Sequence, residues 1–234
     1  MFKIIYTFML SMTLSVLVAS SAFAGALGPA TKYEITMTKV ELCETGSTDA
    51  NCLNPVTVSP SGTKVSDIAA VDAGASVGSF GSLSTLTPGT TYSYIQVTMS
   101  RLFTIAGTTS AGCATNSGGT AGGLNAYGVG QTAATGTAQT LSVPNTNGMS
   151  ATLPNTINGA ADANGDTVSA AGAIANADTH MEFRQKLSET FIMTAGSVPS
   201  LTIAFGTELA VESQGACGGA VMNAAEPSVS ITVN

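Results

Sequence analysis

The chain has 234 residues and a formal net charge of −7, from 7 basic and 14 acidic side chains. An acidic chain with no Lys/Arg cluster repels phosphate backbones, which argues against nucleic acid as a partner. Charged residues are only 9% of the sequence, far below the roughly 25% of ordinary soluble domains, so small and neutral polar residues must coat much of the surface.

The N-terminus reads as a targeting segment. Lys3 supplies a positive start, Ile4 to Ala19 is an uncharged apolar run, and Ala22-Phe23-Ala24 has the small-x-small pattern of a cleavage site. Residues 1–24 are therefore expected to be a signal peptide, with the mature chain beginning at Gly25. The run is short for a bilayer span, and no later segment is apolar enough for a membrane-crossing helix, so no transmembrane segment is expected in the mature chain. The expected location is extracellular, at the cell surface or in the periplasm. About 210 residues then remain, enough for one sizeable domain, 25–234.

Strand signals dominate the mature chain. Gly25 to Lys32 has little apolar content and reads as a flexible arm. Tyr33-Glu34-Ile35-Thr36-Met37 alternates apolar and polar residues, and the apolar phase then shifts to Val40 and Leu42. A shift by one residue predicts a β-bulge near Thr38-Lys39. Cys43 and Cys52 bracket a polar loop, Val56 and Val58 mark a short strand, and Pro60-Ser61-Gly62 marks a turn. Thr87-Pro88-Gly89-Thr90 is a strong turn signal, because Pro sets φ and Gly takes φ > 0.

Ile95, Val97, Met99, Arg101, Phe103 and Ile105 then share one face at period 2. Arg101 is the misfit. A buried unpaired charge is too costly, so either it pairs with a carboxylate such as Glu34 or Asp67, or it lies where the strand leaves the core. Residues 106–136 are rich in Gly, Ala, Thr and Ser and read as a long loop tethered at Cys113, or as a sub-division of the domain. Thr140 to Gly148 and Thr152 to Gly159 echo each other as two strand-turn units. Met181, Phe183, Gln185, Leu187, Glu189, Phe191 and Met193 alternate with Glu182, Arg184, Lys186, Ser188 and Thr190, which argues for a long strand or a strand pair. Leu201, Ile203 and Phe205 repeat the pattern, and Val229, Ile231 and Val233 form a terminal strand with no charge and no Pro.

Cys43, Cys52, Cys113 and Cys217 make an even set in an exported chain, which reads as two disulfides with three possible connectivities. Proximity selects Cys43–Cys52, and elimination then gives Cys113–Cys217. No C-x2-C pair is present, so zinc is not expected. Many strands, Gly/Pro-rich turns and no helical stretch give the fold class: an all-β, antiparallel β-sandwich with long Gly/Ala/Ser/Thr-rich loops and two disulfides.

No catalytic pattern is complete in the chain. His180 is the only histidine, with Asp178 beside it, but no Gly-x-Ser-x-Gly elbow exists, and its place at a strand start reads as a surface or capping role. Asp162, Asn164 and Asp166 carry oxygen ligands at alternate positions like the start of a Ca2+ loop. Thr167 stands where that loop needs Gly and Ala173 where it needs a carboxylate, so an Asx/Gly turn is the favoured reading. Gly118 to Gly123 lacks a Lys and a following helix, so it is no phosphate loop. The absence of Trp leaves little surface for sugar stacking. No cofactor and no enzymatic activity are expected.

The turn-strand Leu86-Thr87-Pro88-Gly89-Thr90-Thr91-Tyr92, following Val40-Glu41-Leu42-Cys43, resembles the prealbumin-like and pilin-like β-sandwich modules of secreted bacterial proteins. The resemblance covers roughly the first third of the mature chain, implies fold and location, and transfers no catalytic residue. The functional expectation is an exported, non-enzymatic structural or surface protein, a filament or surface-layer subunit that self-associates through edge strands, with Val229, Ile231 and Val233 as the assembly strand. The alternative is a secreted module that binds a glycan or small ligand.

Overall fold

The structure is a computed structural model that describes residues 25–59, 62–70, 83–120, 127–143, 153–197 and 201–233. The predicted signal peptide, the Pro60-Ser61 step and much of the Thr140–Gly148 echo lie outside the described residues. In chain order the first strands are β1 Ala26–Gly28, β2 Ala30–Glu44, β3 Val56–Thr57, β4 Lys64–Asp67, β5 Thr91–Ser100, β6 Leu102–Gly107 and β7 Cys113–Thr120. They continue with β8 Tyr127–Thr132, β9 Gln139–Ser142, β10 Ile157–Ala160, β11 His180–Ile192, β12 Leu201–Gly206, β13 Val211–Gln214, β14 Val221–Ala224 and β15 Ser228–Val233. A 3-10 turn at Leu83–Thr85 is the one helical piece among the described residues. No helix there is long and apolar enough to cross a membrane.

The strands form three antiparallel sheets, as the alternating pattern predicts. The largest is centred on β2. Tyr33, Ile35 and Met37 point into the core, the register slips between Met37 and Lys39, and Val40 and Leu42 then point inward. The predicted bulge is there, and the Thr38 hydroxyl fixes it by donating to the Thr98 carbonyl at 3.1 Å. β5 and then β6 pair along one side of β2, while β3 and β4 pair along the other. β11 and then β10 extend the sheet beyond β5, and β9 extends it beyond β6. A second sheet runs β1-β13-β14-β8-β7, and β12 and β15 form a two-stranded ribbon.

Side chains from all three sheets share one buried cluster. It includes Ile35, Leu42 and Ile95 of the large sheet, Val211 and Met222 of the second, and Ile203 and Ile231 of the ribbon. Each such burial contributes about 1.5–3 kcal/mol relative to an exposed side chain. Tyr33 meets Phe103 edge-on at 5.7 Å between centroids. The two disulfides are Cys43–Cys52, which closes the loop after β2, and Cys113–Cys217, which ties β7 to the β13–β14 connection. The Pro88-Gly89 turn forms with Gly89 at φ 84° and Thr90 N–H donating to the Thr87 carbonyl at 3.1 Å.

Three expectations are corrected. The Gly-rich stretch within 106–136 is largely a hairpin, β7 with β8, inside the second sheet. Its small residues serve close approach: a Cβ on Gly128 would overlap Gln139 and the Met222 carbonyl, and one on Gly130 would press on the Met222 sulfur. The opening segment is not a free arm. β1 pairs with β13, and after Pro29 the chain enters the large sheet as β2. Arg101 does not sit within a continuous strand. Ser100 and Leu102 end and begin separate strands where the neighbour changes from β11 to β9.

Arg101 is nonetheless only 1% exposed, because its side chain bridges that division. Its Nε–H donates to the Val143 carbonyl at 3.2 Å and an Nη1–H to the Asp178 carbonyl at 2.8 Å. Glu34 and Asp67 instead pair with Lys32, at 3.0 and 3.6 Å. Neither expected arrangement holds: the strand changes neighbour at Arg101 but does not leave the core, and the guanidinium fills the split with the Val143 and Asp178 carbonyls among its acceptors.

Candidate functional site

The polar face of β11 would meet solvent if the strand lay at the surface. Glu182 and Arg184 are instead 4% and 5% exposed. Cross-strand register explains their company. Arg184 lies opposite Gln96, which lies opposite Glu41; Glu182 lies opposite Thr98 on one side and Asn158 on the other. The result is a buried polar network across β2, β5, β11 and β10. Gln96 Nε2–H donates to Glu41 Oε2 at 2.9 Å and to Glu182 Oε1 at 3.3 Å. Arg184 donates through Nε to Gln96 Oε1 at 2.8 Å, and through Nη2 to Glu182 Oε2 at 3.0 Å and to Asn158 Oδ1.

Lys39 completes the charge balance at 3.2 Å from Glu41. The network is covered by the Cys43–Cys52 loop, whose Asp49 carbonyl accepts from Arg184 Nη1 at 3.4 Å, and by Gly165, which packs against Glu182 and Thr98. Burial holds the Arg184 guanidinium pKa below its ordinary value, and Glu182 opposes that shift. Two carboxylates and two cations are thus paired with one another across β2, β5 and β11.

The sequence candidates are placed elsewhere. Asp162 Oδ1 accepts the amides of Asn164 at 2.8 Å and Asp166 at 3.2 Å, so its carboxylate locks the turn it begins. Those amide bonds hold the Asp162 carboxyl below its usual range. His180 opens β11, and its Nδ1 shares a hydrogen with the Thr179 hydroxyl at 2.8 Å. Asp178 turns away from it and accepts from Ser169 Oγ and the Ala175 amide at 2.8 and 2.6 Å. The terminal strand carrying Val229, Ile231 and Val233 pairs with β12 of its own chain. Its other side is met by β11, where Gln185 Nε2–H donates to the Val229 carbonyl at 3.0 Å and Ser188 Oγ–H to that of Ile231 at 3.1 Å.

A different place has the character of a binding site. Between the large sheet and the β14–β15 segment lies a cavity of about 190 Å³. Tyr33, Met99, Phe103, Ile157, Met181 and Phe205 supply apolar walls. Besides the Tyr33 hydroxyl and the carboxylates of Glu212 and Glu226, two neutral polar side chains line it, Asn223 and Ser142. Asn223 is 6% exposed, yet among the described residues neither its Nδ2 nor its Oδ1 has a hydrogen-bond partner, and the fully buried Ser142 Oγ has none either. No family model, curated protein or solved structure matches this chain.

The cavity adjoins a larger open cleft of about 600 Å³, and the two share Phe183, Glu226, Pro227 and Val229 as walls. Lys186, Glu208 and Leu209 line the cleft further out. The Ala225-Glu226-Pro227 link between β14 and β15 is held to the core by Tyr33, whose hydroxyl donates to the Ala225 carbonyl at 2.9 Å. Burial first, and the Glu226 carboxylate second, push the Tyr33 hydroxyl pKa well up, so it stays a neutral donor. Sequence reading passed over Ser142 and Asn223. The available signal was weak: each is a lone polar residue between apolar ones, in Leu141-Ser142-Val143 and Val221-Met222-Asn223-Ala224.

Proposed function

We propose that this chain is an exported, non-enzymatic binding module that takes a small, mainly apolar ligand between its sheets. The observation that carries this is the apolar cavity containing the unpartnered amide of Asn223 and hydroxyl of Ser142. A buried polar group without a partner costs roughly 1–3 kcal/mol, and a ligand that satisfies it recovers that cost on binding. The adjoining cleft supplies an entry route. Export is supported by the predicted signal peptide and by the two disulfides. The resemblance of the Leu86–Tyr92 turn-strand to prealbumin-like and pilin-like modules belongs to the same proposal.

The test is methyl NMR of the oxidised mature chain titrated with toluene. Met99 and Met181 both line the cavity, so their methyl resonances are expected to shift and saturate together. Unchanged resonances up to the solubility limit of toluene count against the proposal.

A filament or surface-layer subunit is the second reading. It is favoured by β12, which carries no charge or Pro and whose side away from β15 has no strand partner among the described residues. Electron microscopy of native material tests it directly. Polymers that persist after deletion of 228–234 would show that strand donation by this segment is not the mechanism.

A further inference from the structure

We infer that the cavity accepts a neutral, single-ring ligand carrying one hydroxyl or amide group, and that it rejects carboxylate analogues. This rests on the binding reading above. Size sets the first limit. The cavity is about 190 Å³, and a dry cavity of about 150 Å³ takes benzene. One ring with a short polar substituent fits; a sterol or a long acyl chain does not.

Chemistry sets the second limit. Asn223 presents an unpartnered donor and an unpartnered acceptor, and Ser142 adds a hydroxyl that can act as either. Their complement is a group that both donates and accepts, which describes an alcohol, a phenol or an amide. A hydrocarbon leaves all three atoms unpaired. The Tyr33 hydroxyl donates its one proton to the Ala225 carbonyl, so toward a ligand it can only accept.

Charge sets the third. Half-buried Glu212 and exposed Glu226 line the cavity, and no Lys, Arg or His does among the described residues. The Arg101 guanidinium is near the Val143 wall but is committed to the carbonyls of Val143 and Asp178. A bound carboxylate would lose its hydration beside two like charges and gain no cation in return.

The experiment titrates the oxidised mature chain with toluene, benzyl alcohol and benzoate, following the Met99 and Met181 methyl resonances and measuring affinity by calorimetry. Benzyl alcohol is expected to bind about tenfold more tightly than toluene, and benzoate to show no saturable binding. Asn223→Leu is expected to abolish the preference for benzyl alcohol while toluene still binds, and Ser142→Ala to reduce that preference. Should Asn223→Leu fail to fold, the smaller Ser142→Ala change still reads the hydroxyl's part.

Equal affinity for toluene and benzyl alcohol in the wild-type chain overturns the hydroxyl or amide assignment. Benzoate binding as tightly as benzyl alcohol overturns the charge assignment; in both cases the cavity still stands as a site. Failure of all three probes to move Met99 and Met181 overturns the binding reading together with this inference.

Discussion

Replacing Arg184 with Met isolates the energetics of the buried network. The change removes the 2.8 Å bond to Gln96 and the 3.0 Å ion pair to Glu182. Glu182, with a side chain 6% exposed, then keeps only the Asn158 and Gln96 amides as partners among the described residues, at 3.2 and 3.3 Å. Two neutral donors do not replace a guanidinium for a buried carboxylate. Removing one member of a buried ion pair costs about 3–5 kcal/mol, far more than the roughly 0–1 kcal/mol of a surface pair. Adding Glu182→Gln removes the orphaned charge, so the double variant is expected to be more stable than Arg184→Met alone. The assay is urea unfolding of the oxidised chain, comparing midpoints at constant m value. A loss below about 1 kcal/mol for Arg184→Met, or strict additivity of the two changes, refutes the reasoning, since residues in one network should couple by roughly 0.5–3 kcal/mol.

The two disulfides should differ in worth. The chain-entropy model assigns about 5 kcal/mol to Cys113–Cys217 and about 2.5 to Cys43–Cys52, because their sequence separations are 104 and 9; paired Cys→Ala variants compared by denaturant midpoint check the order. His180 is held below its ordinary pKa of 6.5 by burial, against an opposing effect of Asp162. The neutral imidazole is therefore favoured on folding, and its contribution is full above about pH 6.5 and is lost as pH falls through the lower folded value. NMR titration of this sole histidine should give a midpoint under about 6.5, and His180→Gln should remove that part of the stability slope. Gly28→Ala is expected to destabilise by about 1–3 kcal/mol, because the added Cβ would overlap the backbone of Thr108 and Thr109; thermal unfolding measures it.

The legible parts of this protein were local ones. The bulge at Thr38 could be read because a slip of one residue moves every later apolar side chain to the other face, and Val40 and Leu42 record that slip in the sequence. The Pro88-Gly89 turn could be read because its residues set their own dihedral angles. The short Cys43–Cys52 spacing fixed one disulfide and, by elimination, the other. The Gly-rich middle misled because small residues serve a loop and a closely packed hairpin equally well, and only the presence of Met222 and Gln139 over Gly128 and Gly130 separates the two.

By itself, then, the sequence determined which side chains share a face, where strands turn and bulge, and that strands carry the fold of the described residues. Those properties arise from the two-residue period of an extended chain and from single-residue backbone preferences. The tertiary structure alone decided what covers each face. Glu182 and Arg184 alternate correctly as the polar side of β11, yet the Asp49 loop and Gly165 bury them. Arg101 fills a division between β11 and β9 that exists only once both strands have found their partners. Ser142 and Asn223 are 81 positions apart in the chain and line one cavity because β9 and β14 belong to different sheets that pack across it. Burial depends on contacts between distant segments, and no local period encodes it.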